Sequence, residues 1–198
     1  WELNRNAENY HAEVEQAAYA GGLAAAPGGL YIGMYSANTG WYFSGFMDEV
    51  SLYGEALSAA EIQGIFQADL TGKCPPPPLP CLTPPAGLVG WWRGESNTVD
   101  SVAGNHASSI PTNYPVSYFY QVGRVDAGFA LRGPNFLTVP RSESLDVGAS
   151  SGLTIETWIY PNTLSPMPIV EWTDTNRYGA NLWLSYSRGP TILEANLI

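Results

Sequence analysis

One segment constrains the fold more than any other, because it predicts a strand, a turn and a capped helix in direct succession. Residues 43–53 alternate in polarity, and successive side chains of a strand point to opposite faces. On this pattern Phe46, Asp48, Val50 and Leu52 share the more apolar face. The alternation therefore predicts that the carboxylate of Asp48 is turned toward the protein interior.

The residues after this strand predict a short helix. Ser58 and Glu61 have the spacing of a capping box, in which each side chain binds a backbone N–H at the helix start. Ile62, Ile65 and Phe66 then form one apolar stripe at helical spacing. Because so short a helix depends on packing for its stability, we expect this stripe to lie against the core.

The predicted interior position of Asp48 needs a partner. A buried carboxylate is costly unless it is ion-paired, hydrogen-bonded or bound to a metal. Two interpretations stay open: Asp48 accepts backbone N–H bonds at a strand corner, or it holds a cation, for which calcium is the best candidate.

Composition favours an all-β fold. The 198 residues include 21 glycines, 16 prolines, 7 tryptophans, 12 tyrosines and 6 phenylalanines, which is typical of short strands joined by turns. We expect a sandwich of two packed sheets. The net charge of −10, with only 8 Lys and Arg, argues against binding to nucleic acid or to an anionic membrane surface. The sequence also has no apolar stretch near the roughly 20 residues of a membrane helix.

The pattern of residues 45–62 resembles the closing segment of laminin-G-like, concanavalin A-like jelly-roll domains. Later segments resemble, in order, the opening strand, the next loop, the next strand pair and the strand after it: residues 86–95, 100–106, 128–145 and 153–161. The resemblance implies an all-β jelly-roll sandwich of two antiparallel sheets with one short helix, in a fragmentary or permuted arrangement.

The order of these segments implies a domain division. Residues 1–71 would be the C-terminal part of one jelly roll, residues 72–85 a Pro-rich linker, and residues 86–198 the N-terminal part of a second. The chain would then be cut from a longer tandem array, as the first residue, Trp1, also suggests. An alternative stays open, in which both parts pair as one permuted sandwich.

The resemblance also implies a metal site. In relatives of this fold a calcium ion commonly ties the first strand to the last, and the matching acids here are Asp48 and Glu95. Calcium takes six to eight oxygen ligands, several of them backbone carbonyls. A permuted sandwich would bring Glu95 toward Asp48.

The Pro-rich segment contains both cysteines. If the run is extended, Cys74 and Cys81 are separated by roughly 22 Å, which is too far for a disulfide. A turn or a cis peptide would allow them to pair, so both possibilities stay open. The pair favours an oxidising compartment over a metal site, and the segment is expected to be a semi-rigid spacer between modules.

Several aromatic residues are candidates for sugar binding. Trp158, Trp172 and Trp183, with Asn181 and Glu171, could form a stacking platform. The alternative is that these rings pack across strands or beneath loops.

Catalytic patterns are weak. The two histidines, His11 and His106, lack a convincing nucleophile; Glu13 and Glu15 share a predicted face with His11. Residues 148–152 match the letters of a nucleophile elbow, but a turn precedes them where a strand is needed. Glu143 and Asp146 lie in a Ser-rich turn and are expected to be solvated. We therefore expect a protein that is not an enzyme.

These observations favour a recognition or adhesion repeat of a secreted or cell-surface protein, stabilised by calcium, with a glycan or extracellular protein as ligand and neighbouring repeats as partners. Two alternatives remain, an accessory carbohydrate-binding module of a polysaccharide-degrading enzyme and a structural spacer without a ligand.

Overall fold

A computed structural model describes residues 11–12, 29–35, 40–74, 81–110, 116–147, 152–173, 179–184 and 193–197. The strands are β1 (His11–Ala12), β2 (Leu30–Ile32), β3 (Ser44–Tyr53), β4 (Leu88–Trp92), β5 (Ser108–Ile110), β6 (Tyr120–Val122), β7 (Ala127–Arg132), β8 (Phe136–Val139), β9 (Thr154–Pro161), β10 (Met167–Thr173), β11 (Gly179–Leu184) and β12 (Leu193–Leu197). The α-helices are α1 (Ala59–Ala68) and α2 (Val116–Phe119), and short 3₁₀ turns span Asp69–Thr71 and Glu143–Leu145.

The described strands form two antiparallel sheets. Sheet I has the order β1–β9–β3–β7–β6, and β4 also pairs with β3. Sheet II has the order β12–β11–β10–β2–β8–β5. This architecture confirms the predicted all-β class, a sandwich of two antiparallel sheets with a short helix.

The main core fills the space between the sheets. Sheet I contributes Met47, Val50, Leu52, Trp92 and Phe129, and sheet II contributes Leu30, Ile32, Leu137, Ile169 and Leu184, all of them buried. Apolar burial on this scale is the main favourable term in folding, and it comes from strands on both sides of residues 72–85.

A bulge in β3 changes the predicted face of several residues. Asp48 pairs with Trp158 and Ser51 with Glu156, so two residues of β3, Glu49 and Val50, oppose one residue of β9. The extra residue is Glu49, which has a φ of 57°, and a bulge of this kind reverses the side-chain alternation.

The prediction of one continuous apolar face in β3 is therefore wrong. Met47, Val50 and Leu52 face the core, whereas Phe46 pairs with Tyr160 across the strands and contacts its ring. Asp48 is buried, but it lies opposite Trp158, whose ring stacks on Phe66 of α1. The acid thus faces the outer surface of sheet I, beneath its covering, and not the space between the sheets.

The helix α1 begins as the sequence predicts. Ser58 is the N-cap, and the reciprocal bonds between Ser58 and Glu61 complete a capping box. Ile65 is buried and packs with Tyr53 and Leu57 in a second apolar cluster, against which Ile62 also packs. The helix therefore covers part of the outer face of sheet I.

The Pro-rich segment does not separate its two ends. Cys74 and Cys81 form a disulfide with a Cα–Cα distance of 5.3 Å. The N–H of Cys74 donates to the carbonyl of Leu82 at 2.8 Å, and the N–H of Leu82 donates to that of Gly72 at 3.0 Å. Of the two possibilities that the sequence left open, the structure shows the paired cysteines and not an extended run of roughly 22 Å between them.

Strands from both sides of this segment share each sheet. In sheet I, Val50 pairs with Trp92, Ser51 with Trp91 and Leu52 with Gly90. In sheet II, β2 pairs with both β8 and β10. This is the pairing expected of a permuted sandwich; the proposed division at residues 72–85 stays a prediction about where the segments come from.

In the part of the chain that the structure describes, no helix has both the length and the apolar character needed to cross a membrane.

Candidate functional site

The bulge in β3 places two acids, Asp48 and Glu49, at a junction in sheet I. On one edge of β3, β7 pairs with Ser44–Met47 and β4 pairs with Val50–Tyr53. Asp48 and Glu49 lie between these two pairings. The turn before β7 lies beside Asp48. There the N–H of Val125 donates to Asp48 Oδ2 at 2.8 Å.

Glu95, just beyond the end of β4, binds the same turn. The N–H of Ala127 donates to Glu95 Oε2 at 3.2 Å, two residues from the N–H that Asp48 accepts. The structure therefore brings the two predicted calcium ligands to one turn, from two different strands. The bond from Val125 fits the interpretation in which Asp48 accepts a backbone N–H at a strand corner.

Two glycines leave room for the Asp48 carboxylate. A Cβ on Gly123 would lie 2.5 Å from Asp48 Oδ2, and a Cβ on Gly128 would lie 3.0 Å from the Cβ of Asp48. Since real Cβ contacts are longer than this, a side chain at either position would displace the acid or the turn that binds it.

The environment of Asp48 disfavours its charged form. Burial raises the pKa of Asp48 to about 8, although the hydrogen bond from Val125 opposes the shift; the charges of Glu49 and Glu95 add to it. Burial also raises the pKa of Glu95, opposed by the Ala127 N–H and by Arg93. Protonation or a bound cation would reduce the repulsion between these two acids.

Each of the two acids also has a buried oxygen that accepts no hydrogen bond from the described residues. Among the described residues, Asp48 Oδ1 is buried and accepts no hydrogen bond, and Glu95 Oε1 is buried with only a long ion pair to Arg93 at 3.7 Å. No group of three His, Cys, Asp or Glu residues that could hold a metal occurs in the described ranges. Calcium here would need backbone carbonyls and water to complete its six to eight oxygens.

A second cluster of charges lies beside this pair on the same face of sheet I. Lys73 Nζ is 2.5 Å from Glu156 Oε1 and 3.2 Å from Glu49 Oε2. The indole N–H of Trp91 donates to Glu49 Oε2 at 3.0 Å, and Arg93 Nε lies 3.7 Å from Glu49 Oε1. The side chains of Lys73, Glu49 and Glu156 are each 1% exposed.

The charges in this cluster depend on one another. Burial raises the pKa of Glu49, and the positive charge of Lys73 opposes that shift. Burial alone would lower the pKa of Lys73, but Glu156 and Glu49 together hold it above its ordinary value. Removing one member would leave an uncompensated buried charge, which typically costs about 3–5 kcal/mol.

Sequence patterns did not reveal this cluster, because Lys73 lies in the segment interpreted as a linker. Glu156 shares a strand face with Trp158, which was interpreted as part of a sugar-binding platform. One signal was present in the sequence: Lys73 is the only lysine in the chain and directly precedes a cysteine.

The three tryptophans proposed as a stacking platform are not brought together. Trp158 belongs to β9 of sheet I, Trp172 of β10 is part of the core between the sheets, and Trp183 belongs to β11 of sheet II. Each is 3% exposed, so none of the three offers an open ring face. Asn181 is buried in β11 opposite Glu171.

An exposed aromatic residue lies beside one of them. Trp41 is 39% exposed, and its ring centroid is 5.8 Å from that of Trp183. Tyr35 contacts the same indole edge-on at 5.3 Å. Trp41 was not a candidate from the sequence. The residues around it show no strand pattern from which the exposure of its side chain could be predicted.

The weaker candidates lie apart from these clusters. His11 pairs with Ile159 at the edge of sheet I, while Glu13 and Glu15 lie outside the described residues, as do residues 148–151 of the elbow-like motif. His106 is exposed, as expected, and accepts the N–H of Asp100 at its Nδ1. Glu143 is exposed, and Asp146 lies 3.9 Å from Arg141.

Comparison of the chain with known protein families, with curated proteins and with solved structures finds no match. The resemblance to laminin-G-like domains therefore rests on the residue patterns of the sequence alone.

Proposed function

We propose that this chain is a non-catalytic recognition or adhesion module of a secreted or cell-surface protein, and that calcium stabilises it. The observation that carries the proposal is the convergence of Asp48 and Glu95 on the turn of residues 124–127. A cation bound there would join β3, the end of β4 and the start of β7, and would neutralise acids that burial otherwise penalises.

An extracellular setting is supported by the disulfide between Cys74 and Cys81, because disulfides persist in oxidising compartments. A net charge of −10 suits a surface that does not bind polyanions.

The calcium part of the proposal is tested by thermal unfolding with excess calcium and with a chelator. Because a ligand that binds only the folded state stabilises it by about 2.7 kcal/mol at a hundredfold excess over Kd, we expect the Tm to rise by several degrees with calcium. The Asp48→Asn variant should lose this rise. Glu143→Gln, which changes an exposed acid remote from the turn, serves as the control and should keep it. An equal Tm with calcium and chelator would remove calcium from the proposal.

A glycan is the ligand that the exposed aromatic surface favours. The indole of Trp41 is held against Trp183 by its ring contact, and a partly exposed aromatic ring with a fixed orientation suits stacking on the apolar face of a sugar. This site would equally serve the alternative of an accessory carbohydrate-binding module, whereas the spacer alternative needs no such surface.

Binding to immobilised glycans tests the recognition part. We expect the chain to retain a restricted set of glycans and the Trp41→Ala variant to bind them at least tenfold more weakly, since truncation of an aromatic anchor in a binding site often costs about 2 kcal/mol or more. Tyr118→Ala, which removes another exposed aromatic residue, is the matched control. Binding that Trp41→Ala leaves unchanged would exclude this site, and retention of no glycan would favour a protein ligand or the spacer.

A further inference from the structure

The only lysine of the sequence is buried. Lys73 is 3% exposed, although lysine is among the residues least often fully buried. A lone lysine on the surface would carry no desolvation cost, so the position of this one between two carboxylates needs a chemical reason.

The three groups are arranged in a closed site. Lys73 Nζ lies 2.5 Å from Glu156 Oε1 and 3.2 Å from Glu49 Oε2. The ring of Trp91 lies 5.2 Å from Nζ, and its indole N–H holds Glu49 by a 3.0 Å bond. Glu156 Oε2 is buried and, among the described residues, accepts no hydrogen bond. An amine, an acceptor carboxyl and a second carboxyl thus meet where water is excluded.

We propose that Lys73 and Glu156 condense to form an intramolecular isopeptide bond, with Glu49 as the group that carries protons during the reaction. Glu49 first takes one proton from the Lys73 ammonium, which frees the lone pair of Nζ. Nζ then attacks Cδ of Glu156 to form the amide N–C bond, and one Cδ–O bond breaks. Two of the three ammonium protons leave with that oxygen as water, and the third stays on the amide. Glu49 accepts and returns a proton and is unchanged, and no oxidant or reductant is required.

Proximity and burial both favour this step. Reacting groups held in contact can reach effective concentrations of about 10⁵ M or more, and the exclusion of water opposes the reverse hydrolysis. Condensation also replaces two buried charges with a neutral amide, which removes their desolvation penalty. Glu49 then keeps the indole N–H of Trp91 and the guanidinium of Arg93 as its partners.

The bond would join two parts of the fold that the sequence separates by 83 residues. Lys73 directly precedes the loop closed by the Cys74–Cys81 disulfide, and Glu156 lies in β9 of sheet I. The loop would then be fixed to the sandwich covalently, independently of any calcium.

The mass of the intact, disulfide-reduced chain tests the proposal directly. We expect a mass lower than that of the sequence by one water, and a proteolytic fragment in which Lys73 is linked to Glu156. Lys73→Arg should restore the full mass. Glu49→Gln keeps both reacting residues but should slow the appearance of the linked chain after refolding at least tenfold, since general acid–base assistance typically raises a rate by 10²–10⁴-fold. Glu143→Gln is the control and should remain fully linked.

Two results would overturn the proposal. One is a wild-type chain that has the full sequence mass after folding and reduction, which would leave the cluster as an ion pair only. The other is a loss of water that persists in Lys73→Arg, which would place the dehydration elsewhere. The wild-type mass and its linked fragment are decisive even if a variant fails to fold.

Discussion

At the scale of single residues, Asp48 shows how far the sequence leads. Its position in a strand of apolar residues correctly predicted burial, and it is 2% exposed. The pattern did not reveal which groups surround it, because the Val125 N–H and the carboxylate of Glu95 come from two distant parts of the chain. A buried acid can be found from local alternation, but its partners depend on the tertiary fold.

The raised pKa of Asp48 gives a prediction about stability. Its folded value is about 8 and its model-compound value is 3.8, so the folded state binds a proton between these pH values that the unfolded state does not. The Asp48 carboxyl therefore contributes stability that is lost as pH rises from about 4 to about 8. The groups facing Asp48 are Glu49, Glu95 and the backbone of Arg124 and Val125, and the pKa values of Glu49 and Glu95 are raised too, which adds to the same trend.

Urea unfolding in a chelator at pH 5 to 8.5 measures this trend. We expect the free energy of unfolding to decrease with pH in the wild type and to change much less in Asp48→Asn, which cannot ionise at this position. Calcium should reduce the loss at high pH, because it takes the place of the proton. A stability that rises with pH through this range in chelator would contradict the assignment.

At the scale of elements, the sequence predicted where a helix or strand occurs better than it predicted which side chains of a strand face the core. The capping box at Ser58 and Glu61 is local, and α1 begins where it predicts. The bulge at Glu49 is not local: it exists because β3 pairs with β9 on both sides of an extra residue. Strict alternation therefore assigned Phe46 to the face of Val50 and Leu52, and the fold separates them.

The cap gives a prediction for α1. Ser58→Ala removes the side chain that accepts the N–H of Glu61, and loss of such a cap typically costs about 1 kcal/mol. Chemical unfolding should show this decrease, whereas Ser58→Asn, which can also cap, should lose much less. If both variants unfold like the wild type, α1 contributes little to the cooperative unit.

At the scale of the whole molecule, the fold depends on pairing between segments that the sequence places far apart. The resemblance correctly indicated two antiparallel sheets, but linker composition suggested separation where the structure shows a disulfide-closed loop. Proline content is a local property and does not reveal which residues at the two ends of a segment come together. Here backbone hydrogen bonds join Gly72 and Cys74 to Leu82, next to the disulfide. The pairing of β4 with β3 brings Glu95 to the turn that binds Asp48.

Calorimetric titration of the chelator-treated chain with calcium measures whether Asp48 and Glu95 contribute to one cation site. We predict saturable binding of one calcium ion per chain, weakened at least tenfold in both Asp48→Asn and Glu95→Gln and unchanged in Glu143→Gln. Absence of binding, or binding that survives both substitutions, would contradict the account.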